Sequence, residues 1–107
     1  MAIIEVDESD FASEMDSAFD RGDVVIVKFG STYCDACMAL GFELEELDDT
    51  RENLTILEVD CSTSEALAEE FDIIEVPTMK IYKQRDQVSF EGVGVILAED
   101  IAKLLDY

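Results

Sequence analysis

The chain has no histidine, no tryptophan, one proline and only seven basic residues in 107. Each shortage removes a class of chemistry. Without histidine there is no Ser-His-Asp or Cys-His catalysis and no imidazole to ligate a metal. Cysteine is sparse as well, at three. Cys34 and Cys37 are clustered and Cys61 stands apart, so a disulfide scaffold is out of reach and a four-thiolate zinc site within one chain is excluded. No metal centre is expected, a site shared through Cys34 and Cys37 across a dimer being a distant alternative. No apolar run approaches the roughly 20 residues of a membrane span. Met1-Ala2-Ile3-Ile4-Glu5 has no basic region followed by a long apolar stretch, so no signal peptide is visible and a cytoplasmic location is expected.

The shortage of cations has its own meaning. Asp and Glu number 27 against seven Lys and Arg, a net charge of −20. Nucleic acid and an anionic membrane would both be repelled, so neither is expected as a partner. The simplest reading is a solvated acidic surface. A basic partner surface and a high-salt cytoplasm are the sharper readings, and added salt should relieve the self-repulsion.

What is present is an ordinary apolar fraction, 49%, in a chain long enough for one compact domain, 1–107, and too short for two. Ala2-Ile3-Ile4-Glu5-Val6 reads as a short edge strand. Asp7-Glu8-Ser9-Asp10 is a cluster of helix N-cap types, and Phe11, Met15, Ala18 and Phe19 form a helical stripe, giving a helix over about 9–21 closed by Arg21 and Gly22. Val24–Phe29 is a continuous β-branched run, as in a strand covered on both faces. Gly30-Ser31-Thr32-Tyr33 then turns into Cys34-Asp35-Ala36-Cys37, which opens a helix striped by Leu40, Leu44 and Leu47 that runs to about 49. Leu54–Val59 is a third strand, Asp60–Ser64 a loop with Ser64 as N-cap, and Ala66–Phe71 a short helix. Ile73–Val76 leads into Pro77. Thr78–Tyr82 and Val88–Phe90 form a hairpin about the turn Gln84–Gln87, Gly92-Val93-Gly94 breaks the pattern, and Ile96, Ile101, Leu104 and Leu105 stripe a last helix.

The order β-α-β-α-β-α-β-β-α predicts an α/β fold: a central mixed sheet, parallel in its first half and closed by an antiparallel hairpin, flanked by helices. The two thiols at the start of a helix behind a buried strand carry the chemistry. Cysteines three apart share a helix face within disulfide reach, and the partial positive charge at a helix start favours a thiolate. Such a pair is built to switch between dithiol and disulfide.

Over nearly its whole length the chain resembles the thioredoxin family. The resemblance rests on Val24–Phe29 running into Tyr33-Cys34-Asp35-Ala36-Cys37, on Val76-Pro77-Thr78 forty residues on, and on the hairpin, Val93-Gly94 and the last helix in the family's order. It implies a thioredoxin fold and a protein-disulfide reductase that works in electron transport and redox homeostasis without a bound cofactor. Cys34 would attack the client disulfide and Cys37 would resolve the mixed disulfide. Pro77 would be the family's cis-proline, Val76 would offer its backbone to an extended client, and Tyr33 and Gly94 would border the same groove beside Val93. The implied partners are an upstream reductase, flavin- or ferredoxin-linked, and oxidised client proteins, with a monomer expected. The alternatives are a thioredoxin-like protein of narrow substrate choice and a non-catalytic interaction module.

The chain departs from the family's Trp-Cys-Gly-Pro-Cys. Tyr33 replaces the tryptophan and keeps an aromatic wall with a polar tip. Asp35 sets a carboxylate beside Cys34, which opposes thiolate formation and should hold that thiol toward the upper part of the roughly 3.5–7.5 span of such motifs. Lys28 stands where the family usually buries an aspartate, and Glu58 where that aspartate's lysine partner belongs. A Lys28–Glu58 pair beneath the disulfide is one expectation, a Lys28 side chain snorkelling outward the other. Cys61 is expected at the active-site end of the sheet, as a half-buried small residue or as a regulatory thiol.

Overall fold

The computed structural model describes residues 3–106. Nine elements follow one another: β1 (Ile3–Val6), α1 (Phe11–Asp20), β2 (Val24–Gly30), α2 (Asp35–Thr50), β3 (Leu54–Asp60), α3 (Glu65–Glu70), β4 (Thr78–Gln84), β5 (Gln87–Val93) and α4 (Ala98–Leu105). Ala2, expected at the start of the first strand, lies outside the described residues. The strands form one mixed sheet in the order β1-β3-β2-β4-β5. β1 and β2 both run parallel to β3, β4 runs antiparallel to β2, and β5 closes the sheet as the antiparallel partner of β4.

The β-branched run of β2 lies at the centre because both of its faces are covered. Val25, Val27 and Phe29 pack with Phe11 and Ala18 of α1, Leu67 of α3, and Leu57 and Val59 of β3. Ile26 points the other way, into Leu40, Leu44 and Leu47 of α2, Ile56, Met79, Ile81, and Ile101 of α4. Two cores separated by one sheet follow directly from the side-chain period of two. No helix among the described residues is long and apolar enough to cross a membrane.

The ends of the elements show which local signals acted. α1 starts at Phe11, two residues later than its cap cluster predicts, because those side chains bond among themselves. Asp7 Oδ1 accepts from the Ser9 amide at 2.8 Å, and Asp10 Oδ1 accepts from the Asp7 amide at 2.8 Å. Asp10 therefore caps the helix by position without bonding its first-turn amides. Ser64 likewise precedes α3 without a side-chain cap bond. The C-terminus of α1 follows expectation: Gly22 has φ +84°, and the amides of Gly22 and Asp23 donate to the carbonyls of Phe19 and Ala18 at 3.0 Å each, a Schellman closure. β5 is longer than the hairpin reading allowed. Gly92 and Val93 do not break it, since they pair with Met79 and Thr78, and the break falls at Gly94, φ +93°. Ile96 sits outside α4 but still packs into the α2 and α4 core.

Candidate active site

β2 delivers the redox motif. The strand ends at Gly30, and Ser31, Thr32 and Tyr33 make the turn into α2. Tyr33 takes the left-handed region, φ +60°, and its side chain is fully exposed. Cys34 is the N-cap of α2 in an extended conformation, φ −120° and ψ 106°. The Cys37 amide donates to Cys34 Sγ at 3.1 Å. One first-turn amide is therefore spent on this sulfur, the position where a thiolate gains most from the helix's positive end. Cys34 and Cys37 are joined as a disulfide with Cα atoms 5.2 Å apart.

The two sulfurs differ in access. Cys34 is half-buried, whereas Cys37 is 4% exposed and belongs to the interior. Cys34 is open to an approaching client, whereas Cys37 borders solvent only along the cavity beneath the motif. Asp35 lies in the first turn of α2 and is exposed, so solvent screens its charge at Cys34.

The next wall comes from β4 and the loop before it. The Val76–Pro77 peptide bond is cis. Pro77 is buried and Val76 half-buried. Phe29 pairs with Thr78 across β2 and β4, so Gly30 and Pro77 close neighbouring strand ends at the same edge. The Gly94 amide donates to the Pro77 carbonyl at 2.9 Å, which draws the end of β5 against the proline. Exposed apolar side chains surround this edge: Tyr33, Ile74 at 92% and Val93 at 55%. The sequence pattern does not distinguish Ile73 from Ile74 in the approach to Pro77, but the fold separates them. Ile73 packs inward with α1 and α3, and Ile74 is left outside. Two adjacent isoleucines outside a covered strand are the signal that one must face water.

Beneath the disulfide lies a second feature. An open cavity of about 450 Å³ has Cys37 on its wall, together with Lys28, Glu58, Glu5, Asp7 and Asp10. Lys28 is 7% exposed, and its Nζ stands 3.1 Å from Glu58 Oε2, so the lysine is paired and does not snorkel outward. The register Glu5, Glu58, Lys28 across β1, β3 and β2 puts two carboxylates and one ammonium in a row. Glu5, Asp7 and Asp10 have the local character of strand and helix-cap residues, and only the fold brings them to this cavity.

Cys61 follows β3 at that same sheet end, its amide donating to the Gly30 carbonyl at 2.8 Å. It is half-buried and outside any disulfide. Burial pushes its thiol pKa up, and the neighbouring Asp60 charge adds to this. Asp60 is held below the usual carboxylate range, first by the Ser62 hydroxyl and then by the Ser62 amide. Thr32 also donates to Asp60 at 3.3 Å, tying the motif's turn to the end of β3. Among the described residues, no cluster of three or more His, Cys, Asp or Glu is placed to hold a metal ion.

Comparison with known proteins gives one consistent result. The family model described as Thioredoxin matches residues 2–107. The thioredoxin of Staphylococcus epidermidis is 32% identical over 107 residues, covering 99% of this chain and 97% of that protein. Among solved structures, the reduced thioredoxin pre-protein of Schistosoma mansoni superposes with a TM-score of 0.83 at 21% identity, covering 100% of this chain and 99% of that one. Thioredoxin f2, solved in complex with ferredoxin:thioredoxin reductase, superposes with a TM-score of 0.83 at 24% identity over 98% of this chain and 93% of that one. The structural likenesses speak for the fold, and the family model and the curated relative for the family.

Proposed function

The chain belongs to the thioredoxin family and is a thiol–disulfide oxidoreductase acting on protein disulfides, and on that premise we propose that it runs in the reducing direction with Cys34 as attacking thiolate and Cys37 as resolving thiol. The observation that carries the assignment is the difference in access: Cys34 caps α2 half-exposed with the Cys37 amide aimed at its sulfur, while Cys37 is 4% exposed. The Cys34 thiolate attacks one client sulfur and releases the other as a thiolate. Cys37 loses its proton and attacks Cys34 Sγ, which forms the Cys34–Cys37 disulfide and releases the second client sulfur. Two electrons pass from the dithiol to the client, and no bound cofactor takes part.

The client is held at the edge formed by Val76, Pro77 and Gly94, with Tyr33, Ile74 and Val93 as apolar walls. The half-buried Val76 offers its backbone beside the motif, which suits an extended segment pairing as a short strand. An upstream reductase, flavin- or ferredoxin-linked, returns the disulfide to the dithiol. Support for a reductase in general comes from the likeness to thioredoxin f2, which was solved bound to ferredoxin:thioredoxin reductase. A cytoplasmic role in electron transport and redox homeostasis, in a single domain acting as a monomer, completes the proposal.

Insulin reduction with dithiothreitol as electron source tests it. Fast reduction by the wild-type chain, lost in Cys34→Ser, is the expected outcome. Slow insulin reduction together with fast reduction by a dedicated reductase would instead favour narrow client choice, which the altered motif and the −20 charge both permit. Full biological activity in Cys34→Ser would favour a non-catalytic module.

A further inference from the structure

We propose that the Lys28 ammonium, anchored by Glu58, is the positioning residue that stabilises the Cys37 thiolate in the resolving step. This rests on the roles given above to Cys34 and Cys37, and it names the group that makes the buried thiol acidic enough to attack.

The geometry begins with two glycines. A Cβ added at Gly30 would lie 3.4 Å from Cys37 Sγ and 3.6 Å from Lys28 Cε. A Cβ added at Gly41 would lie 3.1 Å from Lys28 Nζ. Cys37 and Gly41 are four apart on α2 and share its inner face. The end of the lysine therefore runs beneath α2, against the surface that carries the Cys37 sulfur, in space that two missing side chains leave open. Glu58 closes the arrangement at 3.1 Å from Nζ, with Lys28 7% exposed and the Glu58 side chain 33% exposed.

The charge around this point makes the cation necessary. Five carboxylates line the cavity beside Cys37: Glu5, Asp7, Asp10, Glu58 and Asp60. Lys28 is the one cation among the residues lining it. Asp35 adds a further carboxylate in the first turn of α2, and the Cys61 thiol beyond Asp60 stays neutral at pH 7 because burial raises its pKa. A thiolate forming at Cys37 thus meets like charge from α2, from β1 and the segment after it, and from β3, and opposite charge from β2 alone. Like charges raise a thiol pKa and an adjacent cation lowers it. Glu58 has two effects of opposite kind: it holds the ammonium in place, and it offsets part of its field.

In the step itself the Cys37 thiol passes its proton to solvent through the open cavity. Its sulfur lone pair then forms the bond to Cys34 Sγ, and the Cys34–client bond breaks with its electron pair leaving on the client sulfur. Lys28 touches neither client nor Cys34 and transfers no proton. It lowers the cost of the charge on Cys37.

Stopped-flow reaction of the reduced chain with dithiobis(nitrobenzoate), in a Cys61→Ser background, separates the two thiols. The first nitrothiobenzoate released reports attack by Cys34, and the second reports resolution by Cys37. We expect Lys28→Met to slow the second release about tenfold at neutral pH and to move its pH profile up by about one unit, with the first release little changed. Glu58→Gln should move that profile the other way, because the ammonium keeps its charge and loses the carboxylate that offsets it. Opposite signs are the discriminating result, since mere loosening of the site would shift both variants alike. Profiles that do not move, or that move in the same direction, overturn the proposal. If Lys28→Met does not fold, Lys28→Gln decides in its place: an upward shift of the profile supports the proposal, and no shift or a downward one overturns it. Absence of a second release in the wild type would overturn the resolving role of Cys37, and this proposal with it.

Discussion

Raising the salt concentration should stabilise this protein substantially. The chain carries −20, and its described ion pairs engage its few cations mainly at the surface, where such pairs contribute little. The fold confines this charge to a body of 30 × 27 × 23 Å. Two like charges about 10 Å apart repel by about 0.4 kcal/mol in water, and screening at 0.1 M salt leaves about 0.15 kcal/mol. Such a surface holds on the order of 30 neighbouring pairs, so the native state carries about 5 kcal/mol of repulsion at 0.1 M. The unfolded chain, spread over about twice the radius, retains roughly half of it. Salt at 1 M shortens the Debye length to about 3 Å and removes most of the remainder, a gain of about 2 kcal/mol. For a domain of this size that raises the melting temperature by about 10 °C. Far-UV circular dichroism melts in sodium chloride at the two concentrations measure it. A control is built into α2, whose last turn holds acidic residues and no basic one, against the helix dipole. Glu45→Gln/Glu46→Gln/Asp49→Asn should stabilise the chain at low salt, with the gain shrinking at high salt. A melting temperature that stays flat or falls with salt, or a variant gain independent of salt, would refute the reasoning.

Three further perturbations probe the site. Asp35→Asn removes the carboxylate next to Cys34 and should speed iodoacetamide alkylation of Cys34 at pH 7 by roughly threefold, and an unchanged rate would show that its charge is fully screened. Cys61, its thiol pKa raised by burial and then by Asp60, should alkylate at pH 8 about tenfold slower in the folded chain than in urea; equal rates would contradict that. Gly41→Ala adds helix propensity worth about 1 kcal/mol and displaces only the flexible tip of Lys28, 3.1 Å from the new methyl, so the melting temperature should rise. A fall would mean that the ammonium has no room to yield.

Much of this fold can be read from the chain because local and global signals agree. The run Val24–Phe29 has no polar alternation, and the structure covers both of its faces with helices. The Gly22 closure of α1 and the Leu40, Leu44 and Leu47 stripe follow from single-element chemistry. The readings that failed were those in which two signals competed. Asp7, Ser9 and Asp10 are good caps, but they satisfy one another and leave the helix to begin at Phe11. Gly92 is a poor strand residue, yet its pairing with Met79 keeps it in β5. Within the site, the cysteine pair is local and therefore legible. The Lys28–Glu58 pair is one of two expectations, drawn from the family resemblance and not from any local pattern, since its members lie thirty residues apart and meet through the parallel register of β2 and β3. Glu5, Asp7 and Asp10 reach the cavity beside Cys37 through the pairing of β1 with β3, which no short-range pattern encodes.

The direction of electron flow, from the Cys34–Cys37 dithiol to clients, is what the reduction potential of the couple decides. Equilibration of the chain in dithiothreitol and glutathione buffers, with the dithiol fraction read by mass after alkylation, measures its reduction potential directly. A reductase should lie close to the roughly −270 mV ordinary for thioredoxins. A potential near −120 mV, that of a strong oxidant, would contradict the claim and reverse the direction in which this disulfide works.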